Sequence, residues 1–554
     1  PTMDGTKLAV DVHLPSSYAG SPVPVLVVFT RYWRASISKK TGKPNPPITG
    51  LDKFFSDAGY AIVKVDVRGT GASFGTRQGE YSPIEVMDAK DVLNWIDVQP
   101  WSDGNMGSYG TSYEGTTAEL LCATQHPSVK AVIPGWSDFD VYRSPVRPYG
   151  LLASGFIKKW GFYVKLLDRN RSLILRESIL PVEEELLKPA LKEHKENLKV
   201  YRGTKNAEFR NSKNGAYSYA ECSPVSWESQ IENSDVPMLV LTSWMDAGTA
   251  EGSLQRFQHF SNNQYLLLMA TSHGGWSHAS PFVVSDSLKR PVPLFRDQAM
   301  MQLNFLDFFL KGEVNEVKDW PKVKYYMLGE EEYFTTNTWP PKEVNRKKMY
   351  FAENGLLSSN KPKAETGTDK YKVDFSVSTG KKNRWTTQMG GPVMNLANRE
   401  EVDQKMLCYT TNIMEDDFKV SGTPVVHLKM SSSTEDGAIF VYLEDVDENG
   451  QSRYLTEGGL RLMHRAVNED TTSYNMHSFN QEDAREMTKG KIESVEFQLM
   501  PISVNIKKGH RLRIAISGAD KHTFDRVPRM GKPVYSFERN NVNFSFVDLP
   551  VHVE

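Results

Sequence analysis

The chain has 554 residues, 39% of them hydrophobic and 24% charged, and its 66 Lys and Arg nearly cancel 68 Asp and Glu to leave a net charge of −2. At roughly 150 residues per domain this length predicts three or four folded units. The charge balance argues against a nucleic-acid partner, and no run of about 18 apolar residues is present to span a bilayer.

Cys122, Cys222 and Cys408 form no Cys-x-x-Cys pair and cannot build a disulfide framework, so a reducing, cytoplasmic compartment is the expectation. No signal peptide is visible, but the chain starts at Pro1 without a methionine, which leaves an exported form open. The histidines show no His-Glu-x-x-His motif and no Cys/His cluster at metal spacing. Gly69-Thr70-Gly71-Ala72-Ser73 lacks the third glycine and the lysine of a phosphate loop. Neither a metal nor a cofactor is expected.

Along residues 1–140, strand-like runs alternate with helix-like ones. Val23 to Phe29, Ile62 to Val67, Asn105 to Tyr109 and Val129 to Ile133 read as strands; Val86 to Val98 and Thr116 to Thr124 have helical spacing. This order predicts βαβ units and a mostly parallel sheet. Residues 141–235 change character. Lys165 to Tyr201 is charged and leucine-rich, which predicts two or more amphipathic helices forming a cap. The α/β pattern resumes over 236–315, with strands at Val236 to Thr242 and Gln264 to Ala270 and a helix at Phe295 to Leu310. From 316 to 554 short strand candidates dominate, among them Val323–Leu328, Val425–Met430, Ile439–Asp445 and Arg511–Ser517, separated by turns such as Glu448-Asn449-Gly450. That pattern predicts an all-β sandwich.

The chemistry is signalled at Gly110-Thr111-Ser112-Tyr113-Glu114-Gly115, between a strand and a helix. Glycines flanking a serine at such a junction permit the sharp turn that lifts a nucleophilic hydroxyl above a sheet, and the same turn aims the N–H of Tyr113 at a developing oxyanion. Here the second glycine follows the serine by three residues rather than two. An acid and a histidine must then follow in that order. Asp246 lies just past one later strand, and His273 and His278 lie past the next. The acid would hold the histidine in one tautomer, and the histidine would take and return the serine's proton. His273 is three residues beyond its strand and His278 eight; the shorter reach favours His273, with His278 the alternative base.

Further stretches carry a family resemblance. Met3-Asp4-Gly5-Thr6-Lys7-Leu8 looks like an opening strand, and Val65-Asp66-Val67-Arg68-Gly69-Thr70-Gly71-Ala72-Ser73 matches V-D-x-R-G-x-G-x-S. Gln99-Pro100-Trp101-Ser102-Asp103-Gly104 leads into a G-x-S-Y-x-G elbow; Trp244-Met245-Asp246 and Ser272-His273-Gly274-Gly275 complete the set. Over nearly the whole chain the sequence resembles the hydrolases grouped around cocaine esterase, α-amino-acid ester hydrolase, glutaryl acylase and X-prolyl dipeptidyl peptidase.

The resemblance implies an α/β-hydrolase domain with an inserted helical cap and a C-terminal jelly-roll-like β domain. It also implies a serine hydrolase cleaving ester or activated amide bonds of small acyl substrates through an acyl-enzyme, with an X-prolyl-dipeptidyl-peptidase-like aminopeptidase or a non-catalytic binding protein on a hydrolase fold as the alternatives, and with assembly through the β domain in some members. A tyrosine hydroxyl after the first buried strand, here Tyr32, would be the second oxyanion donor. Trp136, Phe139 and Tyr142 ahead of the cap, with Trp33 beside Tyr32, would line the substrate pocket. No acid adjoins Tyr32, which argues against an ammonium-bearing acyl group. Arg31, Arg34 and Arg68 would either favour an acidic one or be engaged in ion pairs.

Overall fold

The computed structural model describes residues 1–283, 290–389, 398–468 and 476–553. Nine strands form one mixed sheet: β1 (Val10–His13), β2 (Val23–Thr30), β3 (Ala61–Asp66), β4 (Ser102–Thr111), β5 (Val129–Gly135), β6 (Met238–Ser243), β7 (Gln264–Met269), β8 (Val323–Met327) and β9 (Glu332–Thr336). Their order across the sheet is β1-β3-β2-β4-β5-β6-β7-β8-β9. The seven central strands run parallel, and β1 and β9 close the edges antiparallel. A parallel sheet must be covered on both faces, and the apolar runs supply both. Val25, Val27 and Phe29 of β2 enter one core, whereas Leu26 and Val28 enter the other.

The helix α1 (Pro83–Asp97) starts at Ser82, whose N–H donates to Glu85 Oε1 at 3.2 Å, and Pro83 occupies the first turn where no amide proton is needed. The next helix, α2 (Tyr113–Ala123), is buried along nearly its whole length beneath the sheet.

Between β5 and β6 the cap contributes α3 (Ser154–Asp168), α4 (Glu184–Glu193) and α5 (Val200–Asn206). A buried group of four charges fastens the cap to the sheet. Asp168 of α3 accepts from Arg31 Nη2 at 2.9 Å and from Arg77 Nη2 at 2.8 Å, and both guanidinium groups also meet Glu80 Oε1. Arg34 pairs with Asp11 and Asp66, and Arg68 with Asp88 and Asp4. Arg31, Arg34 and Arg68 are therefore all engaged in ion pairs.

Two readings of the sequence shift. Met3 to Leu8 forms no strand: Met3 and Asp4 make a turn closed by Thr2 N–H to Thr6 O at 2.9 Å, and the opening strand comes later, at Val10–His13. The run Val323–Leu328, expected among the strands of the C-terminal sandwich, pairs with β7 as β8. Both faces of that run are buried, so its residues fit a covered parallel sheet better than a half-exposed antiparallel one.

Beyond β9 the described residues are predominantly β-strand, with a few short helical turns. One antiparallel sheet is built around Val344–Phe351, Phe546–His552, Val425–Ser432 and Val534–Glu538; a second contains Leu407–Thr410, Arg511–Ser517, Ala438–Val446 and Ser452–Arg461. Val425–Ser432 alternates half-buried and buried residues along its length, the period-two pattern of a strand packed on one face. The two domains share a continuous core. At their seam the fully buried Arg384 donates from Nη2 to Trp244 O at 2.8 Å and from Nε to Ala247 O at 3.0 Å. No helix among the described residues is long and apolar enough to cross a membrane.

Candidate active site

Ser112 sits between β4 and α2 at φ 67° and ψ −124°. A left-handed backbone at a residue with a side chain costs energy, and it persists here because close packing imposes it. A Cβ on Gly110 would lie 2.4 Å from the Glu114 carbonyl carbon, and one on Gly115 would lie 2.3 Å from Gly135 O. Both glycines are thus required by backbone-to-backbone contact, including the one displaced to the third position after the serine. The Ser112 N–H donates to Gly135 O at 2.9 Å, which ties the turn to β5. The Tyr113 N–H opens α2, where the first amides have no acceptor within the helix.

Asp246 follows β6 and is fully buried. Its Oδ2 accepts from His273 Nδ1 at 2.8 Å. His273 follows β7, in a loop closed by Ser272 N–H to Ser277 O at 2.8 Å. Gly274 (φ 77°) and Gly275 (φ 72°) let this loop double back; a Cβ on Gly274 would meet Thr111 Cγ2 at 3.5 Å, which sets the loop against the serine turn. His273 Nε2 is buried and has no hydrogen-bond partner among the described residues. Burial alone would lower the imidazole pKa, but the charge and hydrogen bond of Asp246, with the charge of Asp138, outweigh it and leave the value above the usual one.

Tyr32, just past β2, and Ser112 line one cavity of about 730 Å³, mouth included. The Tyr32 hydroxyl accepts from Trp160 Nε1 at 3.4 Å, and its ring meets Tyr113 edge-on at 6.1 Å. Burial pushes the Tyr32 phenol up to about 12 against the pull of Arg31, so it remains a donor at neutral pH. The Tyr113 side chain faces away from the cavity and donates to Glu85 Oε2 at 2.5 Å.

The other sequence-derived candidates stand elsewhere. His278 points toward Glu331, Nε2 to Oε2 at 3.4 Å, and stacks edge-on with Tyr326. Trp136 packs beneath the histidine loop, where a Cβ on Gly275 would lie 2.7 Å from its ring. Phe139 is held in the core against Phe260 and Arg256. Tyr142 donates to Glu208 O at 2.8 Å among Tyr219 and Phe479. Trp33 is buried with Leu167 and Ile179. None of the four is part of the cavity wall, because each has its ring turned into the protein interior.

The wall is made instead by Tyr81, Asp138, Phe156, Trp160 and Tyr219, with Glu80 and Gln388. Asp138 falls between two aromatics that the sequence did single out, and only the turn after β5 decides which of these side chains faces Ser112. Trp160 and Tyr219 come from the cap and Gln388 from the C-terminal domain, with no local signal in the sequence. Asp138 Oδ1 and Glu80 Oε2 are buried without a hydrogen-bond partner among the described residues. Burial raises the Asp138 carboxyl to about 7; Ser144 and His273 oppose that shift, while Asp246 and Asp140 add to it. No group of three His, Cys, Asp or Glu among the described residues is arranged to hold a metal ion.

Residues 4–276 match the family model for X-Pro dipeptidyl-peptidase (S15 family), and residues 315–545 match the one for the X-Pro dipeptidyl-peptidase C-terminal non-catalytic domain. A Mycobacterium bovis protein that bears a serine esterase name is 32% identical, over 99% of this chain and 94% of its own. Cocaine esterase of Rhodococcus is 25% identical, over 96% of this chain and 92% of its own. In three dimensions the chain overlays a CocE/NonD family hydrolase from Staphylococcus aureus with a TM-score of 0.75 at 19% identity, covering 100% of this chain and 92% of that one. The matches span both parts of the chain, and the chain is a serine hydrolase of the X-Pro dipeptidyl-peptidase (S15) family of α/β-hydrolases.

Proposed function

We propose that the chain hydrolyses ester, or activated amide, bonds of small acyl substrates through a covalent acyl-enzyme on Ser112. The observation that carries this reading is the Asp246–His273 hydrogen bond of 2.8 Å, set against the turn that bears Ser112. Asp246 fixes the tautomer that keeps the proton on Nδ1, so Nε2 is free to take the Ser112 proton. Ser112 Oγ attacks the carbonyl carbon, and the imidazolium then protonates the leaving group. The Tyr113 N–H and the Tyr32 hydroxyl stabilise the oxyanion, both being fixed before the reaction begins. Water, deprotonated by His273, releases the acid. Three free cysteines suit a reducing compartment, and a cytoplasmic site of action is part of the proposal.

A second reading concerns the substrate. Asp138 and Glu80 bring acceptor oxygens without donors into an aromatic cavity. This favours substrates with a donor or a positive charge near the scissile bond, including the amino terminus of a short peptide, against the sequence-based expectation for the acyl group. A panel of p-nitrophenyl acetate and butyrate, glutaryl and phenylglycyl esters, and Ala-Pro and Gly-Pro anilides tests both readings, with Ser112→Ala as control. Turnover of short neutral esters above all others supports the first reading, and preference for phenylglycyl esters or the anilides the second. Hydrolysis that survives in Ser112→Ala overturns both.

A further inference from the structure

The C-terminal domain reaches the acid of the proposed triad. Residues 384–389 form a short turn of helix that meets the loop after β6. Arg384 brackets Asp246 by donating to the carbonyls of Trp244 and Ala247, and the Ala247 N–H returns a bond to Arg384 O at 2.9 Å. The remaining Arg384 nitrogen, Nη1, donates to Tyr454 Oη at 3.2 Å, within the second β sheet. Three residues on, the buried Thr387 hydroxyl stands 2.6 Å from Asp246 Oδ1, the oxygen that His273 does not use. Gln388 then enters the wall of the Ser112 cavity.

We propose that Thr387 is a positioning residue for hydrolysis, supplied to the triad by the domain whose family model is called non-catalytic. The inference rests on the reading of Asp246 as the triad acid. A carboxylate with one oxygen bonded can swing about its Cβ–Cγ bond and lose its alignment with the imidazole; a second bond on the other oxygen removes that freedom. The Thr387 hydroxyl has one proton and two acceptors in reach, Asp246 Oδ1 and Arg384 O, each at 2.6 Å. An ionised carboxylate is the stronger acceptor. Thr249 Oγ1 lies 3.3 Å from Oδ2 and 2.9 Å from the Asp246 carbonyl, so it supports the side that His273 already fixes. Without the Thr387 proton, Oδ1 is a buried acceptor with no donor among the described residues.

The test compares Thr387→Val, Thr387→Ala, Thr387→Ser and Asp246→Asn in the full chain, by steady-state kinetics on p-nitrophenyl acetate across pH and by thermal melting. Expected for Val and Ala is a kcat lower by about tenfold or more with KM little changed, the scale of losing one hydrogen bond to a charged group. The acid limb of kcat/KM is expected to move upward, because carboxylate charge no longer shared with a hydroxyl holds the His273 proton more tightly. Ser restores both. Ala leaves room where Val crowds, so a fold defect in Val does not remove the test. Wild-type kcat and an unmoved acid limb in Ala, with Asp246→Asn inactive, overturn the positioning role and leave the triad reading intact. Full activity in Asp246→Asn overturns the triad reading itself.

Discussion

His273 and Asp246 stand at the ends of neighbouring parallel strands with Nδ1 and Oδ2 2.8 Å apart. The buried pair raises the imidazole pKa above its usual value, although burial alone would depress it. Since the neutral imidazole is the base, activity falls as pH drops through that raised pKa. The acid limb of kcat/KM is expected above the ordinary histidine value of about 6.5. Asp246→Asn is expected to lower kcat by about 10⁴-fold through loss of the correct tautomer. A pH–rate profile of both proteins checks this.

Tyr32 shares the Ser112 cavity and stays protonated up to about 12. Tyr32→Phe removes the hydroxyl and keeps the ring contacts with Tyr113 and Tyr163. A fall in kcat of about 10²–10³-fold, with KM nearly constant, is the expected cost of one oxyanion donor. Steady-state kinetics on p-nitrophenyl acetate measures it, and a change confined to KM would instead make Tyr32 a simple wall residue.

His278 is committed to Glu331 on the hairpin that joins β8 to β9. His278→Ala is expected to keep turnover and lower the melting temperature, whereas His273→Ala is expected to lose turnover. The opposite pattern would exchange the two histidines.

Gly115 faces the Gly135 carbonyl so closely that a methyl group there would lie 2.3 Å from the oxygen. Gly115→Ala is expected to destabilise by about 1–3 kcal/mol and to reduce activity by displacing the Ser112 turn. Urea unfolding, read beside the specific activity, separates the two effects.

Glu85 is buried beneath Tyr113, and burial raises its carboxyl to about 7; Tyr113 and Arg77 oppose that shift, and Glu80 adds to it. A carboxyl with a raised folded-state pKa contributes stability that is complete below its unfolded value of about 4.3 and lost as pH climbs through about 7. The melting temperature is therefore expected to decline between pH 5 and 8, and Glu85→Gln to flatten part of that decline. Calorimetric melts of both proteins across this range check it.

The elements that carry the site were legible in the sequence where backbone rules fix them. Gly110, Ser112 and Gly115 sit on one forced turn, and Asp246 and His273 come two and three strands later, at the ends of neighbouring parallel strands. What escaped depends on the direction of side chains after irregular turns and on contacts distant in sequence. Trp136 has φ 45°, which turns its ring under the histidine loop while Asp138 faces the cavity. Val323 to Met327 reads as a short strand in any sheet, and only its burial on both faces assigns it to the first. Thr387 and Arg384 lie about 140 residues from the acid they hold, a pairing that no local pattern encodes.

The most direct test of the central claim is covalent capture of Ser112. The full chain would be incubated with an aryl fluorophosphonate, the intact mass recorded, and the adduct located by peptide mapping. The expected result is one adduct per chain on the peptide bearing Ser112, no adduct in Ser112→Ala, and slow labelling in His273→Ala. A wild-type chain that turns over p-nitrophenyl acetate yet takes no label, or takes it at a residue other than Ser112, would contradict it.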